Sequence, residues 1–403
     1  MFAPLNEQMD IIREHVIDLL PEEELVRKIE RSIKKNTPLI IKFGADPSRP
    51  DLHVGHAVVL HKMRQFQELG HHVILIIGDF TAMIGDPTGK SKTRPQLTIE
   101  ETRENGQSYV EQATKVLHEE RLEVRYNSEW LGTMNFADVI KLAGNYTVAQ
   151  LLEREDFNKR YKEGIPISVH ELLYPLAQAM DSAAIKSDVE LGGSDQKFNL
   201  LVGREIQRAY GMEPQVIVTT PILEGTDGVQ KMSKSLDNYI GLTESPRDIF
   251  GKVMSIPDEM ITRYMRYAAW FHTDEVVFVE EGLKSGKVHP RDAKVNCAKK
   301  VVALYYDDQA GEDAFAEFER IFKQKDIPDD VPELELDESP ASLNDLLIIT
   351  KMAPSKKEGR RLIEQGAVSI DGEKFTDPFA TVDLSEQKLL KVGKRKFLYV
   401  KMK

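Results

Sequence analysis

The stretch LIIKFGADPSRPDLHVGHAVVLHKMRQFQELGHHVILII, residues 39–77, decides the fold of this chain. Its two ends, LIIKF (39–43) and VILII (73–77), are short and apolar without alternation, which is typical of strands covered on both faces by helices. Between them, apolar residues at 54, 58, 66 and 69 repeat with a helical period, and Gly70 ends the predicted helix. Strand, helix and strand together predict an α/β fold with a doubly wound parallel sheet.

Outward from this unit, the sequence divides into four predicted segments. The run VIV at 216–218 extends the sheet, and from about residue 246 the pattern becomes helical. Residues 307–340 contain thirteen acidic and three basic residues, the composition of a solvated connector. We predict a catalytic nucleotide-binding domain at 1–245, a helical domain at 246–325, an acidic linker at 326–340 and a small α+β domain at 341–403.

Charge is distributed unevenly along the chain. The net charge of the 403 residues is −12, so the surface as a whole repels a polyanion. From residue 341 onward, however, there are thirteen lysines and arginines but only eight acidic residues, which leaves this segment at about +5. This asymmetry predicts an RNA-facing segment, although an ordinary solvated surface is the alternative.

Composition also indicates the compartment. The single cysteine, Cys297, permits no disulfide within the chain and no cysteine-rich zinc cluster, which fits a reducing compartment. No apolar run reaches the ~18 residues of a membrane span, and the N-terminal MFAPLNEQMD lacks the features of a signal peptide. These features predict a cytoplasmic protein.

The first motif is HVGH, residues 53–56, at the start of the predicted helix. Helix N-terminal N–H groups attract anions, Gly55 lets a nucleotide approach the backbone, and the imidazoles of His53 and His56 offer donors to phosphate oxygens. A match to HxGH arises by chance in roughly one chain in fifty. Two surface histidines at a helix start are therefore the alternative.

The second motif is KMSKS, residues 231–235, in a polar loop that follows the last predicted sheet strand. Lys231 and Lys234 on a mobile loop can bind a polyphosphate and stabilise the charge that develops on leaving pyrophosphate. An ordinary basic loop is the alternative, but a chance match to five residues is far rarer than a match to HxGH.

HVGH and KMSKS, in this order on a doubly wound sheet, resemble the two signatures of the class I aminoacyl-tRNA synthetases. Over nearly its whole length the chain is similar to the tyrosyl members, specifically the bacterial branch that carries KMSKS. The resemblance implies an enzyme that activates L-tyrosine with ATP and transfers tyrosine to the 3′ end of tRNA(Tyr). It also implies Mg²⁺ carried with the ATP, no metal bound by the protein itself, and a homodimer.

The resemblance assigns a tyrosine pocket. Tyr174, Gln178 and Asp181 have the spacing i, i+4 and i+7, which places them on one helix face. By resemblance, Tyr174 and Gln178 hold the substrate ammonium and Asp181 accepts the phenolic hydroxyl, although such a stripe is more often core. Many tyrosyl members have a tyrosine late in the first strand that shares this hydroxyl. Here the position is Lys42, which can donate to the phenol or turn away.

Two further segments complete the pocket by resemblance. In IGDPTGKSKTR (84–94), Asp86 corresponds to a carboxylate that holds the ammonium, whereas turn residues in a Gly/Pro loop are the alternative. In VELGGSDQKFN (189–199), two glycines admit the nucleoside, an aspartate binds the ribose hydroxyls as in dinucleotide folds, and Gln196 orients the substrate carboxylate. Asp46 lines the amino-acid site, although Asp-Pro is also simply a good turn. The expected ATP-binding residues are Ser48, Gly55, Gly192, Gly193, Asp195, Met232 and Ser233.

Catalysis should consist of positioning and charge stabilisation. The tyrosine carboxylate is already ionised at neutral pH, so its attack on the α-phosphate requires no general base. The residues expected to stabilise the transferred and leaving phosphates are His53, His56, Lys231 and Lys234. The resemblance adds Lys90 and Arg94, which correspond to basic residues that reach pyrophosphate, although Lys90 could also be an ordinary turn residue.

The tail resembles a small RNA-binding module that a ribosomal protein, tyrosyl synthetases and RNA-modifying enzymes share. The pattern predicts a helix from about Ser355 and a strand pair, AVSID and KFT, around Gly372. One helix face would present a stripe of four cations to tRNA phosphates, namely Lys356, Lys357, Arg360 and Arg361.

Three alternatives remain at this point. A tryptophanyl synthetase shares the fold and both signatures but typically lacks the tail module. A non-catalytic RNA-binding regulator and a small-molecule nucleotidyltransferase are further candidates. The intact KMSKS, GGSDQ and tail segments argue against these last two.

Overall fold

The computed structural model describes residues 2–47, 51–87, 98–324, 331–336, 340–393 and 396–403. Its contacts divide into two compact units, Met1–Phe315 and Ala316–Lys403. No helix among the described residues is long and apolar enough to cross a membrane.

Six strands form the sheet of the first unit. They are β1 (Asp18–Leu20), β2 (Ile40–Ala45), β3 (His72–Ile77), β4 (Leu122–Tyr126), β5 (Val189–Gly193) and β6 (Val216–Thr220). Their order across the sheet is β1-β6-β5-β2-β3-β4, and every neighbouring pair is parallel except the edge pair of β1 and β6. The predicted doubly wound parallel sheet is confirmed.

Helices connect and surround these strands. Those up to the end of the sheet are α1 (Leu5–Arg13), α2 (Glu22–Lys35), α3 (Val54–Glu68), α4 (Thr81–Ile84), α5 (Ile99–Ala113), α6 (Ser128–Leu131), α7 (Phe136–Ala143), α8 (Val148–Leu151), α9 (Glu155–Lys162), α10 (Val169–Ile185) and α11 (Lys197–Ala209). The predicted helical region follows as α12 (Pro246–Met254), α13 (Ile261–Tyr267), α14 (Thr273–Lys284), α15 (Pro290–Tyr305) and α16 (Asp308–Gln324).

Uniformly apolar strands explain why this sheet lies inside the unit. Residues 73–77 of β3 and 216–220 of β6 are all buried, so neither strand has a solvent face. A strand with an apolar residue at every position is stabilised when helices cover both of its faces, because all of its apolar surface is then removed from water. Gly70 adopts φ +93° just after α3 and allows the chain to reverse into β3.

The strand order reverses between β2 and β5. From β2 the chain proceeds to β3 on one side, whereas from β5 it proceeds to β6 on the other. In open α/β sheets, such a reversal leaves a crevice at the carboxyl ends of the two central strands. Lys42 in β2 and Glu190 in β5 lie directly opposite each other in register beside this crevice.

The second unit is a small α+β domain, as predicted. Its strands are β7 (Glu333–Leu336), β8 (Val368–Ile370), β9 (Glu373–Phe375), β10 (Lys388–Val392) and β11 (Lys396–Met402), in the order β7-β11-β10-β8-β9. Its helices are α17 (Leu343–Ile349) and α18 (Lys356–Glu364). Leu343, Leu346, Leu347, Ile363, Val368 and Leu390 are fully buried in its core.

Strand β7 corrects one part of the predicted linker 326–340. Glu333–Leu336 pairs in parallel with β11 and so belongs to the sheet of the second unit. The acidic composition concealed a strand pattern, because Leu334 and Leu336 pack on the core while the alternating glutamates are directed outward. One of these glutamates, Glu335, forms an ion pair with Lys401 at 2.8 Å.

Candidate active site

A cavity of about 220 Å³ opens at the carboxyl ends of β2 and β5. It collects residues that are distant in sequence but adjacent at the reversal of strand order. Its lining includes the predicted site residues Asp46, His56, Asp86, Tyr174, Gln178, Asp181, Gly192, Asp195, Gln196 and Lys231. Three other predicted residues, Ser48, Lys90 and Arg94, lie outside the described residues.

The two histidines of HVGH form a stacked pair at the start of α3. Their ring centroids are 3.7 Å apart, and the Nδ1 atom of buried His53 has no hydrogen-bond partner. Burial, together with the charge of Lys231, lowers the pKa of His53 to about 2 and that of His56 to about 4. Both imidazoles are therefore neutral at physiological pH and can serve phosphate oxygens as uncharged donors.

Glycine at position 55 lets two elements approach each other closely. A Cβ atom would lie 3.1 Å from the His53 ring and 3.6 Å from Cβ of Met232. Met232, the second residue of KMSKS, is buried at this contact. The two signature motifs, about 180 residues apart in sequence, therefore pack directly on each other.

Carboxylates hold both lysines of the KMSKS loop. The Nζ atom of Lys231 lies 2.8 Å from Oδ2 of Asp195, and Lys234 forms an ion pair with Asp51. Ser233 shapes the turn between them, because its hydroxyl accepts a hydrogen bond from the backbone N–H of Ser235. The loop thus presents two cations close to the start of α3.

One end of the cavity is rich in acceptors. The Tyr174 hydroxyl donates to Asp46 at 2.8 Å, and Thr81 donates to the other oxygen of Asp46 at 2.7 Å. Burial and the charge of Asp46 raise the pKa of Tyr174 well above its usual value, so this residue remains a hydroxyl. Asp86 accepts from Gln196 Nε2 at 2.9 Å. This end suits an ammonium group.

The other end holds a single buried carboxyl, Asp181. It accepts from Trp130 Nε1 at 2.9 Å and from Asn127 Nδ2 at 3.4 Å. Burial raises the pKa of Asp181 to about 7, an effect that the charge of Lys42 opposes. Neither Trp130 nor Asn127 was predicted from the sequence as a site residue. The position of Asn127 directly after β4 was the available signal, since strand carboxyl ends border such crevices.

Lys42 turns away from the cavity. Its Nζ atom lies 2.8 Å from Glu190 Oε1, 2.8 Å from the Ser182 hydroxyl and 3.1 Å from the main-chain oxygen of Gln178. Both members of the Lys42–Glu190 pair are almost completely excluded from solvent. Of the two possibilities that the sequence left open, the structure favours the second.

A second cavity, of about 320 Å³, shares Lys231 with the first. Its walls combine apolar side chains with Ser194, which adjoins the predicted ribose-binding Asp195, and with the ion pair of Glu224 and Arg263. A Cβ atom at Gly193 would lie 2.7 Å from an oxygen of Asp195, so a larger residue there would displace the Asp195 carboxylate. The apolar residues that line this second cavity were not predicted from the sequence. They are Ile17, Pro221, Ile222 and Val229.

The predicted cationic stripe lies on α18 in the second unit. Ser355 is the N-cap of this helix and accepts a hydrogen bond from Glu358 N. All four cations are exposed, but Lys356 pairs with Asp345 at 2.8 Å, and Arg361 pairs with Glu358. The guanidinium of Arg360 lies 5.0 Å from the centre of the exposed Phe379 ring.

In the part of the chain that the structure describes, no group of three or more His, Cys, Asp or Glu side chains is arranged to hold a metal ion. Cys297 is fully buried in α15, and burial raises the pKa of its thiol far above the usual value, which makes it unreactive.

Comparison with known proteins agrees with this geometry. Residues 34–323 match the family model of class I tRNA synthetases (W and Y), and residues 323–400 match the Tyrosine--tRNA ligase SYY-like C-terminal domain. A Tyrosine--tRNA ligase of Moorella thermoacetica is 53% identical over 97% of this chain and 94% of its own length. One from Thermotoga maritima is 52% identical, over 97% and 96%. The crystal structure of tyrosyl-tRNA synthetase complexed with L-tyrosine from Archaeoglobus fulgidus is 27% identical, with a TM-score of 0.64 over 76% of this chain and 99% of that one.

The chain therefore belongs to the class I aminoacyl-tRNA synthetases and is an enzyme. Both segments of the chain match a family model, and the similarity to tyrosine–tRNA ligases extends over nearly the whole chain. The subgroup within the class can therefore be named. Within the class it belongs to the tyrosine–tRNA ligases, and the resemblance inferred from HVGH, KMSKS and the tail is confirmed.

Proposed function

We propose that the 220 Å³ cavity binds L-tyrosine between its two polar ends. The ammonium lies among Asp46, Asp86, Tyr174 and Gln178, and the phenolic hydroxyl reaches Asp181. The observation that supports this orientation best is the separation of chemistry within one cavity. Acceptors cluster at one end, whereas a single buried carboxyl occupies the other.

For ATP, we propose the surface next to this pocket. Adenine enters the second cavity between Ile222 and Val229, and the ribose hydroxyls bind Asp195 in place of Lys231. The triphosphate then lies at the N-terminus of α3, where the unpartnered His53 Nδ1 and the neutral His56 are placed to hydrogen-bond its oxygens. Because Gly55, Gly192 and Gly193 have no side chains, ATP can approach the protein backbone at these positions.

The chemical step exchanges one phosphorus–oxygen bond for another. A carboxylate oxygen of tyrosine attacks the α-phosphorus of ATP, and the bond from that phosphorus to the β-phosphate oxygen breaks. Pyrophosphate leaves together with the Mg²⁺ that entered with ATP. Lys231 and Lys234 exchange their carboxylate partners for phosphate oxygens and stabilise the charge on the leaving group. Lys90 and Arg94 keep the supporting role that the resemblance implies.

Transfer to tRNA is the second half-reaction. The 3′-terminal adenosine hydroxyl of tRNA(Tyr) attacks the carbonyl of the adenylate, an ester forms, and AMP leaves. We assign tRNA binding to the segment 341–403, with the stripe on α18 contacting phosphates. We also propose that residues 1–245 form the catalytic domain and residues 246–325 a helical domain. A cytoplasmic location is part of the proposal too, because the buried cysteine Cys297 suits a reducing compartment.

We further propose that the enzyme is a homodimer. Four large apolar side chains between residues 136 and 169 remain strongly exposed in the single chain. They are Phe136 at 79%, Ile140 at 57%, Val148 at 60% and Val169 at 75%. Large exposed apolar side chains that are concentrated in one part of the chain are typical of a protein interface. Val169 begins α10, the helix that carries the tyrosine-binding face.

Amino-acid-dependent exchange of pyrophosphate into ATP tests the proposed specificity. All twenty amino acids are assayed separately, each with and without enzyme. Only tyrosine should support rapid exchange, because only its hydroxyl satisfies buried Asp181. Exchange with tryptophan equal to that with tyrosine would contradict the proposal, and exchange with no amino acid would contradict activation itself.

A further inference from the structure

The buried Lys42–Glu190 pair lies behind the tyrosine pocket and has no role in the mechanism described so far. Neither residue lines the cavity. The two face each other across β2 and β5, with their charged groups 2.8 Å apart and almost no solvent exposure. A charge pair without water costs free energy to bury unless every hydrogen-bonding position is satisfied.

Glu190 is fully satisfied. Its Oε1 atom accepts from Lys42 and, at 3.3 Å, from the side-chain Nε2 of Gln178. Its Oε2 atom accepts from Ser182 at 3.0 Å and from Gln215. An ionised carboxylate only accepts hydrogen bonds, so the side of the Gln178 amide that faces Glu190 must be its NH₂ group.

This constraint determines where the amide oxygen of Gln178 lies. With Nε2 directed to Glu190, Oε1 is directed to Asn199, whose Nδ2 donates to it at 3.0 Å. The same Nδ2 donates at 2.9 Å to Oε1 of Gln196, and Gln196 in turn donates to Asp86. The network thus ends at a carboxylate on each side, Glu190 and Asp86. Because a carboxylate only accepts, the donor and the acceptor of every hydrogen bond between them are fixed.

We propose that Lys42 and Glu190 are positioning residues that fix the Gln178 amide with its oxygen toward the substrate ammonium. An amide oxygen has two lone pairs, and Asn199 occupies one of those on Gln178. The second is available to the ammonium. A flipped amide would present its NH₂ group instead, and a donor facing a cation is unfavourable. This inference rests on the proposed role of Gln178 in tyrosine binding.

Lys42 contributes by stabilising the carboxylate that sets this direction. It also ties β2 to α10 through the Ser182 hydroxyl and the main-chain oxygen of Gln178. Lys42 therefore acts on the ammonium end of the substrate through Glu190, although other tyrosyl members have a tyrosine at this position that contacts the phenol.

The test compares two ligands that differ only in the ammonium. L-Tyrosine and 3-(4-hydroxyphenyl)propionate, which lacks the amino group, are titrated calorimetrically into the wild-type full-length enzyme and its variants. Glu190→Gln retains shape but lets the residue donate as well as accept, so the Gln178 amide loses its fixed direction. The preference for tyrosine over the analogue should fall roughly tenfold, the scale of one hydrogen bond to a charged group.

A matched control is available on α10, the helix that carries Gln178. Glu171 is equally buried and pairs with Arg160 at 2.6 Å, but it does not line the cavity, and its carboxylate accepts from Arg160 and from Ser168 N. Glu171→Gln should lower stability without changing the ratio of the two affinities. Lys42→Met should lower that ratio as Glu190→Gln does, which provides a second route if one variant folds poorly.

The outcomes separate the two levels of inference. Equal losses of affinity for both ligands in Glu190→Gln and Lys42→Met would overturn the positioning role and leave only a structural one. Failure of the wild-type enzyme to bind tyrosine would instead overturn the proposed function. A selective loss for the ligand that carries the ammonium supports the inference.

Discussion

The cavity of the first unit and the stripe on α18 both depend on charge, but they hold it in opposite ways. Lys42 and Glu190, which lie behind the cavity, are 0% and 1% exposed, and fixed partners surround them. Lys356 and Arg361 are 73% and 55% exposed and form ion pairs with Asp345 and Glu358 at the surface. In a water-free site, a misplaced charge costs much and geometry decides which ligand binds. On an exposed helix, water and salt screen each charge, so number matters more than exact position.

Replacing one lysine by alanine in each region should give the largest difference in the rate of tyrosine activation. Lys231→Ala should lower the rate of tyrosine activation roughly 10²- to 10³-fold, because one charge contact to the leaving pyrophosphate is lost. Tyrosine affinity should change little. Lys357→Ala on α18 should leave activation unchanged. Burst kinetics of adenylate formation measure both variants, and a collapse of tyrosine affinity in Lys231→Ala at an unchanged rate would place the loop in a different step.

Replacing Asp181 should produce the next largest effect. Asp181→Asn preserves shape but removes the charge that receives the phenol hydrogen bond. The preference for tyrosine over phenylalanine should fall roughly ten- to hundredfold, in line with a hydrogen bond to a charged group. Exchange assays with both amino acids provide the ratio. If this ratio is unchanged, Asp181 does not recognise the hydroxyl.

Neutralising the exposed stripe should have a smaller effect that depends on salt. The combined replacement of Lys356, Lys357, Arg360 and Arg361 by glutamine should leave pyrophosphate exchange intact and weaken tRNA binding roughly tenfold, with the log–log salt slope reduced by about 0.7 per lost contact. Lys34→Gln with Lys35→Gln, at the exposed end of α2, serves as a control. An unchanged slope would remove α18 from the tRNA interface.

A change of pH should have the smallest effect and act on the buried region alone. Since the pKa of Asp181 is about 7, this carboxyl is mostly protonated at pH 6 and mostly ionised at pH 8. The ionised form is the stronger acceptor, so the KM for tyrosine should fall a few-fold as pH rises through 7. Asp181→Asn should flatten the profile. The KM for phenylalanine, which has no hydroxyl, should not follow it.

Local patterns predicted most of the framework. The uniformly apolar runs at 39–43 and 73–77 overlap β2 and β3, and Ser355 is the N-cap of α18. Such patterns succeed because they reflect the backbone and its nearest neighbours in sequence. The strand β7 was missed because its glutamates dominated the composition, although its alternate leucines pack on the core.

The sequence by itself determined the fold class, the two signature motifs HVGH and KMSKS, and the single helix face that carries Tyr174, Gln178 and Asp181. Only the tertiary structure decided the partners of these residues. Lys42 meets Glu190 across 148 positions of sequence, and Trp130 meets Asp181 from a segment without any motif. The physical reason is that periodicity fixes the side of an element on which a residue lies. The distant side chains that meet there are fixed by strand order and packing.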